Sequence, residues 1–417
     1  MDLRNRIGLH GAYFLGMAGI GFTLPYLPLY LSERGLSDRA IGIISTLAAL
    51  SGLAQFQVGE WSDRLGGRKP FILVSLLLLA IATIALPWVD NVVLLAIVVV
   101  LFAENGVCRA IVETQSGAAA VGLSNSDQVA ASLGKLRFWK PIGIILVALV
   151  GGRLAARMGI DVMLVPLGVA GVLAVLAALL IHEPARVHPR TLSRDESDGR
   201  PKPSLGRDRA LWWFIAAMVL FHMANAPGGV YLGLFLTREL HANQQRLADA
   251  FVVSMIVWML VSRPAGALAD RIGRRPLLIV CWTGMALRLV LVAVAGSANW
   301  IVAIQALDGF SNGLFAILAA AWMTDRLGGA IHAGRAQAIV GTSLVLGSAI
   351  GPAASSMLVD LLGYRGLFAL LAGVGAVGTG LIVAFVPETL VPDEISLNAR
   401  FHEHNTNPMT PTEAASA

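Results

Sequence analysis

The 417-residue chain is 56% hydrophobic and only 14% charged, with 31 Lys and Arg against 26 Asp and Glu, a formal net charge of +5 and a mean hydropathy of +0.72. That balance, with apolar residues gathered in long runs, excludes a soluble domain and marks a polytopic membrane protein. The two cysteines, Cys108 and Cys281, both fall inside apolar runs, which excludes a secreted disulfide framework.

At about 20 residues per crossing, the apolar runs predict twelve helices. They lie near 8–31, 40–60, 70–89, 92–118, 134–157 and 160–181, then 210–237, 247–267, 276–296, 299–322, 336–361 and 364–386. The predicted fold class is all-α integral membrane, with two pseudo-symmetric six-helix bundles. Residues 1–185 form the first bundle, 186–209 a polar linker, 210–390 the second bundle and 391–417 a polar tail. The first run carries Arg4 and Arg6 ahead of it as a signal peptide does, but it is long and holds Tyr13, Pro25, Tyr26 and Pro28, so it reads as a retained helix 1. Of the 31 Lys and Arg residues, 21 fall on the side of the two termini and seven on the other, while Arg109, Arg263 and Arg288 lie in spans. The positive-inside rule then predicts cytoplasmic termini, and the basic clusters are topology determinants rather than a nucleic-acid surface.

The second half repeats the first. Gly59-Glu-Trp-Ser-Asp63-Arg64-Leu-Gly66-Gly-Arg68-Lys69-Pro70, between helices 2 and 3, returns 207 residues later as Gly266-Ala-Leu-Ala-Asp270-Arg271-Ile-Gly273-Arg274-Arg275-Pro276, between helices 8 and 9. At a similar offset, Tyr26 to Arg34 falls on Tyr231 to Glu239, Glu104 on Asp308, and Glu183 after helix 6 on Glu388 after helix 12. Two like bundles are suited to rocking about a midplane site.

The duplicated loop resembles the signature of the major facilitator superfamily, and the resemblance covers essentially the whole chain. It implies that Gly59, Asp63, Arg64 and Arg68, with Gly266, Asp270, Arg271 and Arg274, belong to a cytoplasmic gate. In that gate the glycines allow close helix approach, the aspartates accept from a helix N-terminus, and the basic side chains, Lys69 and Arg275 included, bridge to Glu183 and Glu388.

Ionisable residues inside spans are site hypotheses, because an unpaired charge in lipid is costly. In helix 4, Arg109 and Glu113 are one turn apart and neutralise each other or serve substrate, while Glu104 stands about 140° around the helix from Arg109. The resemblance implies that helices 4 and 10 line the central cavity, so the matched acids Glu104 and Asp308 are the proton-carrier candidates. Arg288 in helix 9 offers Asp308 a competing ion pair. The start of helix 5, Gly134-Lys135-Leu-Arg137-Phe-Trp139-Lys140-Pro141, resembles that of the lactose permease group and related nucleoside and phenylpropionate symporters, which assigns substrate contact to Arg137. In helix 7, His222 and Asn225 share a face just before Pro227-Gly228-Gly229, a sequence expected to break or bend the span.

No phosphate-binding loop, metal-binding His or Cys pattern, or cofactor motif is present. The resulting expectation is a secondary active transporter, not an enzyme, without cofactor or metal. It is expected to be a monomer in the bacterial inner membrane, moving a small organic solute by proton symport. The Gly347-Ser-Ala-Ile-Gly351-Pro352 run of helix 11, which resembles antiporters, keeps proton-coupled export open, and a transporter-like solute sensor is the more distant alternative.

Overall fold

The computed structural model describes residues 2–65, 67–104, 106–123, 136–183, 208–327 and 333–390, and every regular element among them is helical. Helix 1 is a bent pair, Leu3–Thr23 and Leu27–Glu33, turned by 51° where Pro25 and Pro28 withdraw backbone donors. Helix 2 runs as Asp38–Ser51 and Ala54–Leu65, helix 3 as Lys69–Ala85, helix 5 as Trp139–Met158 and helix 6 as Leu164–Leu179. In the second half, helix 7 is Arg209–Arg238, helix 8 Gln244–Ile272, helix 9 Arg274–Val294 and helix 10 Ala298–Arg326.

Ten helical segments are long and apolar enough to cross a membrane, and the bent pair makes eleven. The last of the ten, Ile339–Phe385, is 47 residues, roughly 70 Å at 1.5 Å per residue and more than twice a hydrocarbon core. It lies within Ala333–Phe385, which turns at Gly363 (φ 65°, ψ 176°), a left-handed conformation that a side chain resists. The segment is therefore helix 11 before Gly363 and helix 12 after it, and the fold accommodates twelve spans.

Two expectations about broken helices are corrected. Helix 7 stays helical through Pro227-Gly228-Gly229 from Arg209 to Arg238. Proline there frees the carbonyl of Met223, and neighbouring helices keep such a span intact. A Cβ on Gly351 of helix 11 would stand 2.5 Å from that carbonyl, so Gly351 is what lets helix 11 lie against helix 7. The break falls instead in helix 4, between Val92–Phe102 and Val107–Gly122. Glu104 sits in that break.

The packing follows the repeat. Helix 2 of the first half lies on helix 11, and helix 5 on helix 8, so each half offers its second and fifth helices to the other. Glycines set both seams: a Cβ on Gly42 would meet Ser356 Cβ at 2.5 Å, and one on Gly152 would meet Ala248 Cβ at 2.6 Å. Overpacking such a seam costs about 1–3 kcal/mol. We expect Gly42→Leu to separate helices 2 and 11, raising the reactivity of a cysteine placed at Ser45 toward a membrane-impermeant maleimide roughly tenfold; unchanged labelling would show that the seam is not limiting.

Candidate solute cavity

A cavity of about 250 Å³ lies between the halves, lined by helices 1, 2 and 4 on one side and helices 7 to 11 on the other. Of the residues expected at the site, Glu104, His222, Asn225, Arg288 and Asp308 all line it. The repeat offset, with the resemblance that implies helices 4 and 10 line the cavity, pointed to the acids from both halves. It missed Gln305 and Asn312, although Gln305, Asp308 and Asn312 at i, i+3 and i+7 share one face of helix 10 and line the same cavity.

The second-half wall is a connected polar network. Arg288 is 3% exposed and pairs with Asp308 at 3.0 Å. Asp308 also accepts from Ser254 Oγ at 2.5 Å and Asn312 Nδ2 at 3.1 Å. Arg288 donates to Asn225 Oδ1 at 2.9 Å, and Asn225 Nδ2 donates to Asn312 Oδ1 at 3.0 Å. Of the two alternatives for Asp308, the ion pair with Arg288 is present.

Glu104 is in the opposite situation. It is partly buried in the cavity wall and makes no hydrogen bond or ion pair among the described residues. The break that presents it is held by Arg109, which is 1% exposed. Arg109 donates to Thr23 Oγ1 at 3.2 Å and to the carbonyl of Phe102, the last residue before the break, and its guanidinium lies 5.0 Å from the Phe102 ring centroid. The expected pairing of Arg109 with Glu113 does not form. Helical side chains lean toward the N-terminus, so Arg109 reaches the unsatisfied carbonyl behind it rather than Glu113 ahead. Glu113 accepts instead from Tyr13 at 2.8 Å and Lys140 at 3.1 Å. Arg137 is 64% exposed, stands 3.9 Å from Glu113, and does not line the cavity. Its expected substrate contact is not supported by this position: the start of helix 5 lies away from the cavity.

Three cavity-lining side chains keep a buried nitrogen without a partner among the described residues: His222 Nε2, Gln305 Nε2 and Arg288 Nε. Each such group costs about 1–3 kcal/mol while unmet. His222 is wedged edge-on against Phe221 and Phe315, with ring centroids 5.3 and 4.6 Å away.

The side-chain hydrogen bonds that join the halves among the described residues gather toward the face opposite the termini, here the distal face. Asp38 accepts from Arg238 at 2.7 Å and from Tyr364 at 2.5 Å, and Arg238 also reaches Ser32 at 2.6 Å. Tyr231 bonds the Asp38 carbonyl at 3.3 Å, and its repeat mate Tyr26 bonds the Gln244 carbonyl at 3.3 Å. Thr46 bonds the Ala349 carbonyl one layer deeper, at 3.1 Å.

The family model described as "MFS_1 like family" matches residues 6–370. The chain belongs to the MFS_1 like family. An uncharacterized MFS-type transporter of Mycobacterium tuberculosis is 27% identical over 380 residues, covering 88% of this chain and 90% of that one. A Deinococcus radiodurans protein named as a sugar efflux transporter is 25% identical over 393 residues, covering 90% and 97%. Among solved structures, the nucleoside transporter NupG superposes with a TM-score of 0.77 at 17% identity, covering 92% of this chain and 99% of that one. Membership makes the chain a multi-pass transporter of the major facilitator type, with the fold that the repeat implied.

In this family member the duplicated loops lie at the terminal face, and the polar contacts they make among the described residues stay within each half. Glu183 accepts from the backbone N–H of Arg68 at 2.7 Å and Lys69 at 3.2 Å. Glu388 does the same for Arg274 and Arg275, both at 2.9 Å. At Arg68, Lys69, Arg274 and Arg275 it is the backbone amides that meet the acids, because the first turns of helices 3 and 9 expose unpaired N–H groups. The basic side chains bond carbonyls instead, Lys69 that of Leu179 at 2.8 Å and Arg275 that of Val383 at 2.7 Å. Asp270 pairs with Arg274 at 2.9 Å, Arg274 also meets Asp325 at 3.0 Å, and Arg271 is exposed. Close helix approach at the two motif glycines is not seen: nothing lies within 4 Å of a Cβ on Gly59, and one on Gly266 finds only Ile317 at 3.9 Å. No side-chain hydrogen bond or ion pair joins the halves at this face among the described residues. The side chains of Asp63 and Arg64 lie outside the described residues, as do Gly134, Lys135, Gly66, the 186–207 part of the linker and the tail from 391.

Burial opposes ionisation of Glu388, but four backbone N–H donors, those of Leu390, Arg274, Arg275 and Thr389, outweigh it and hold the carboxyl below its ordinary value of about 4.5. A depressed carboxylate contributes stability above its unfolded pKa and loses it as pH falls through the folded pKa. Thermal stability of the purified protein is thus expected to fall as pH drops below about 4.5, with a shallower dependence in Glu388→Gln. Parallel curves for the two proteins would show that the cap is not contributing.

Proposed function

We propose that the protein moves a small organic solute across the bacterial inner membrane by alternating access, coupled to protons through Glu104. The observation that carries this reading is a carboxyl, unpaired among the described residues, on a broken helix facing a cavity built by both halves. A carboxyl in such a place takes and releases a proton without breaking an ion pair, whereas Asp308 would have to leave Arg288. Termini in the cytoplasm follow from the Lys and Arg excess on their side. With the halves latched distally, the described arrangement is then the one open toward the cytoplasm. The six-helix bundles 1–185 and 210–390 are the rocking units in this reading, and the acid-capped loops are the elements that meet when the cytoplasmic side closes.

Symport is the direction favoured by the bent, Pro-rich helix 1. Export is the second reading, favoured by the Deinococcus radiodurans relative named for sugar efflux. The test is a proteoliposome assay with an internal pH dye and a panel of neutral, anionic and cationic metabolites. Solute-dependent proton movement, abolished by an uncoupler, supports coupling. Solute flux that ignores the pH gradient refutes it, and binding without flux would make the protein a sensor.

A further inference from the structure

We propose that His222, Gln305 and Arg288 form a subsite for the oxygen-rich end of a neutral solute, whose apolar body lies against the first-half wall. The proposal rests on the transport reading for the cavity's purpose, but its geometry is independent of coupling. His222, Gln305 and Arg288 are 7%, 2% and 3% exposed, all three line the cavity, and each holds one nitrogen with no partner among the described residues. Gln305 Nε2 and Arg288 Nε carry hydrogens and can only donate, while His222 Nε2 donates or accepts according to tautomer. One wall thus offers at least two unmet donors, and these call for acceptor oxygens, not for an ammonium group.

Charge narrows the class. The Arg288 cation is already neutralised by Asp308 at 3.0 Å, and the same Nη1 donates to Asn225 at 2.9 Å, which leaves Nε for a neutral acceptor. An incoming carboxylate would gain no free positive charge there and would face Asp308 and Glu104, two acids on the same cavity. An incoming cation would meet donor hydrogens. A neutral hydroxyl or carbonyl meets neither penalty. Across the cavity, Leu24, Leu27, Ala48 and Ala49 present aliphatic surface, while Trp258 of helix 8 adds an aromatic face on the second-half side. A volume of about 250 Å³ is at the small end of ligand cavities, so the class is a one- or two-ring neutral polyol with an apolar face or substituent.

The test is equilibrium binding to the purified full-length protein by calorimetry, using phenyl β-D-glucopyranoside, its glucuronide and its 2-amino-2-deoxy counterpart as probes. The neutral glycoside is expected to bind at least about tenfold more tightly than either charged relative. Gln305→Leu and His222→Phe are each expected to weaken it about tenfold while leaving the melting temperature of the ligand-free protein unchanged or raised, since each removes an unpaired buried polar atom. That stability readout separates loss of the subsite from loss of folding. No binding of the neutral glycoside, equal binding of the glucuronide, or full binding by both variants would overturn the subsite. Binding with this pattern but without proton-linked flux would keep the subsite and remove the coupling.

Discussion

Glu104→Gln is expected to abolish proton-driven accumulation while leaving solute exchange at equilibrium largely intact. The amide keeps the shape of the side chain and its place in the break of helix 4, because Arg109, Thr23 and the Phe102 carbonyl, not Glu104, hold that break. What it removes is the titratable group. The loss should therefore exceed about 100-fold for accumulation against a gradient, with counterflow changed by less than about threefold, since only the charged step depends on the carboxyl. Asp308→Asn is expected to behave differently. It leaves Arg288 buried without a counter-charge, a change that costs about 3–5 kcal/mol in comparable buried pairs, so the variant should fail in folding or expression before it fails in coupling. Accumulation in Glu104→Gln at the wild-type level would remove Glu104 as the proton site, and a stable, uncoupled Asp308→Asn would transfer the role to Asp308.

The second large effect is expected at the distal latch. Asp38 is 10% exposed at its side chain and accepts from both Arg238 and Tyr364, which themselves bond each other at 2.7 Å. Hydrogen bonds to charged groups contribute about 1.5–3 kcal/mol each, and 1.4 kcal/mol is tenfold in population. Asp38→Ala should thus shift the protein toward the distally open form by about tenfold or more. A cysteine at Ser45 on the cavity wall, labelled from the distal side, reads this directly. Exchanging the charges, Asp38→Arg with Arg238→Asp, should restore much of the closure, while Arg238→Ala alone should resemble Asp38→Ala. Labelling at the wild-type rate in both single variants would show that the glycine seams of helices 2 and 5 hold the face shut without the latch.

Much of the fold was readable because it depends on patterns that survive in one dimension. Apolar run length follows from bilayer thickness, the Lys and Arg bias from topology, and duplication from the offset that aligns Gly59 to Pro70 with Gly266 to Pro276. The same offset brought Glu104 and Asp308 onto one cavity, and one-turn spacing paired His222 with Asn225. The helix 4 break was not readable, since Pro227-Gly228-Gly229 is the stronger breaker signal and Glu104-Asn105-Gly106 the weaker. Helix 7 stays helical where helix 11 packs on it at Gly351, and Arg109 folded back on the Phe102 carbonyl, with the Val107 N–H donating to Ser51 Oγ, holds the helix 4 break.

By itself the sequence determined that this is a polytopic, twice-repeated membrane protein and which spans carry ionisable groups, because these properties are set by local hydropathy and by repetition. Tertiary structure alone decided how each of those groups is partnered. Asp308 is held by Arg288, Glu104 stands unpaired among the described residues, Arg109 turns from Glu113, and Asp38 reaches Arg238 and Tyr364 across 200 and 326 positions of chain. The physical reason is that an ion pair in a membrane protein depends on distance and burial at the ångström scale, and helices far apart in sequence supply the second partner.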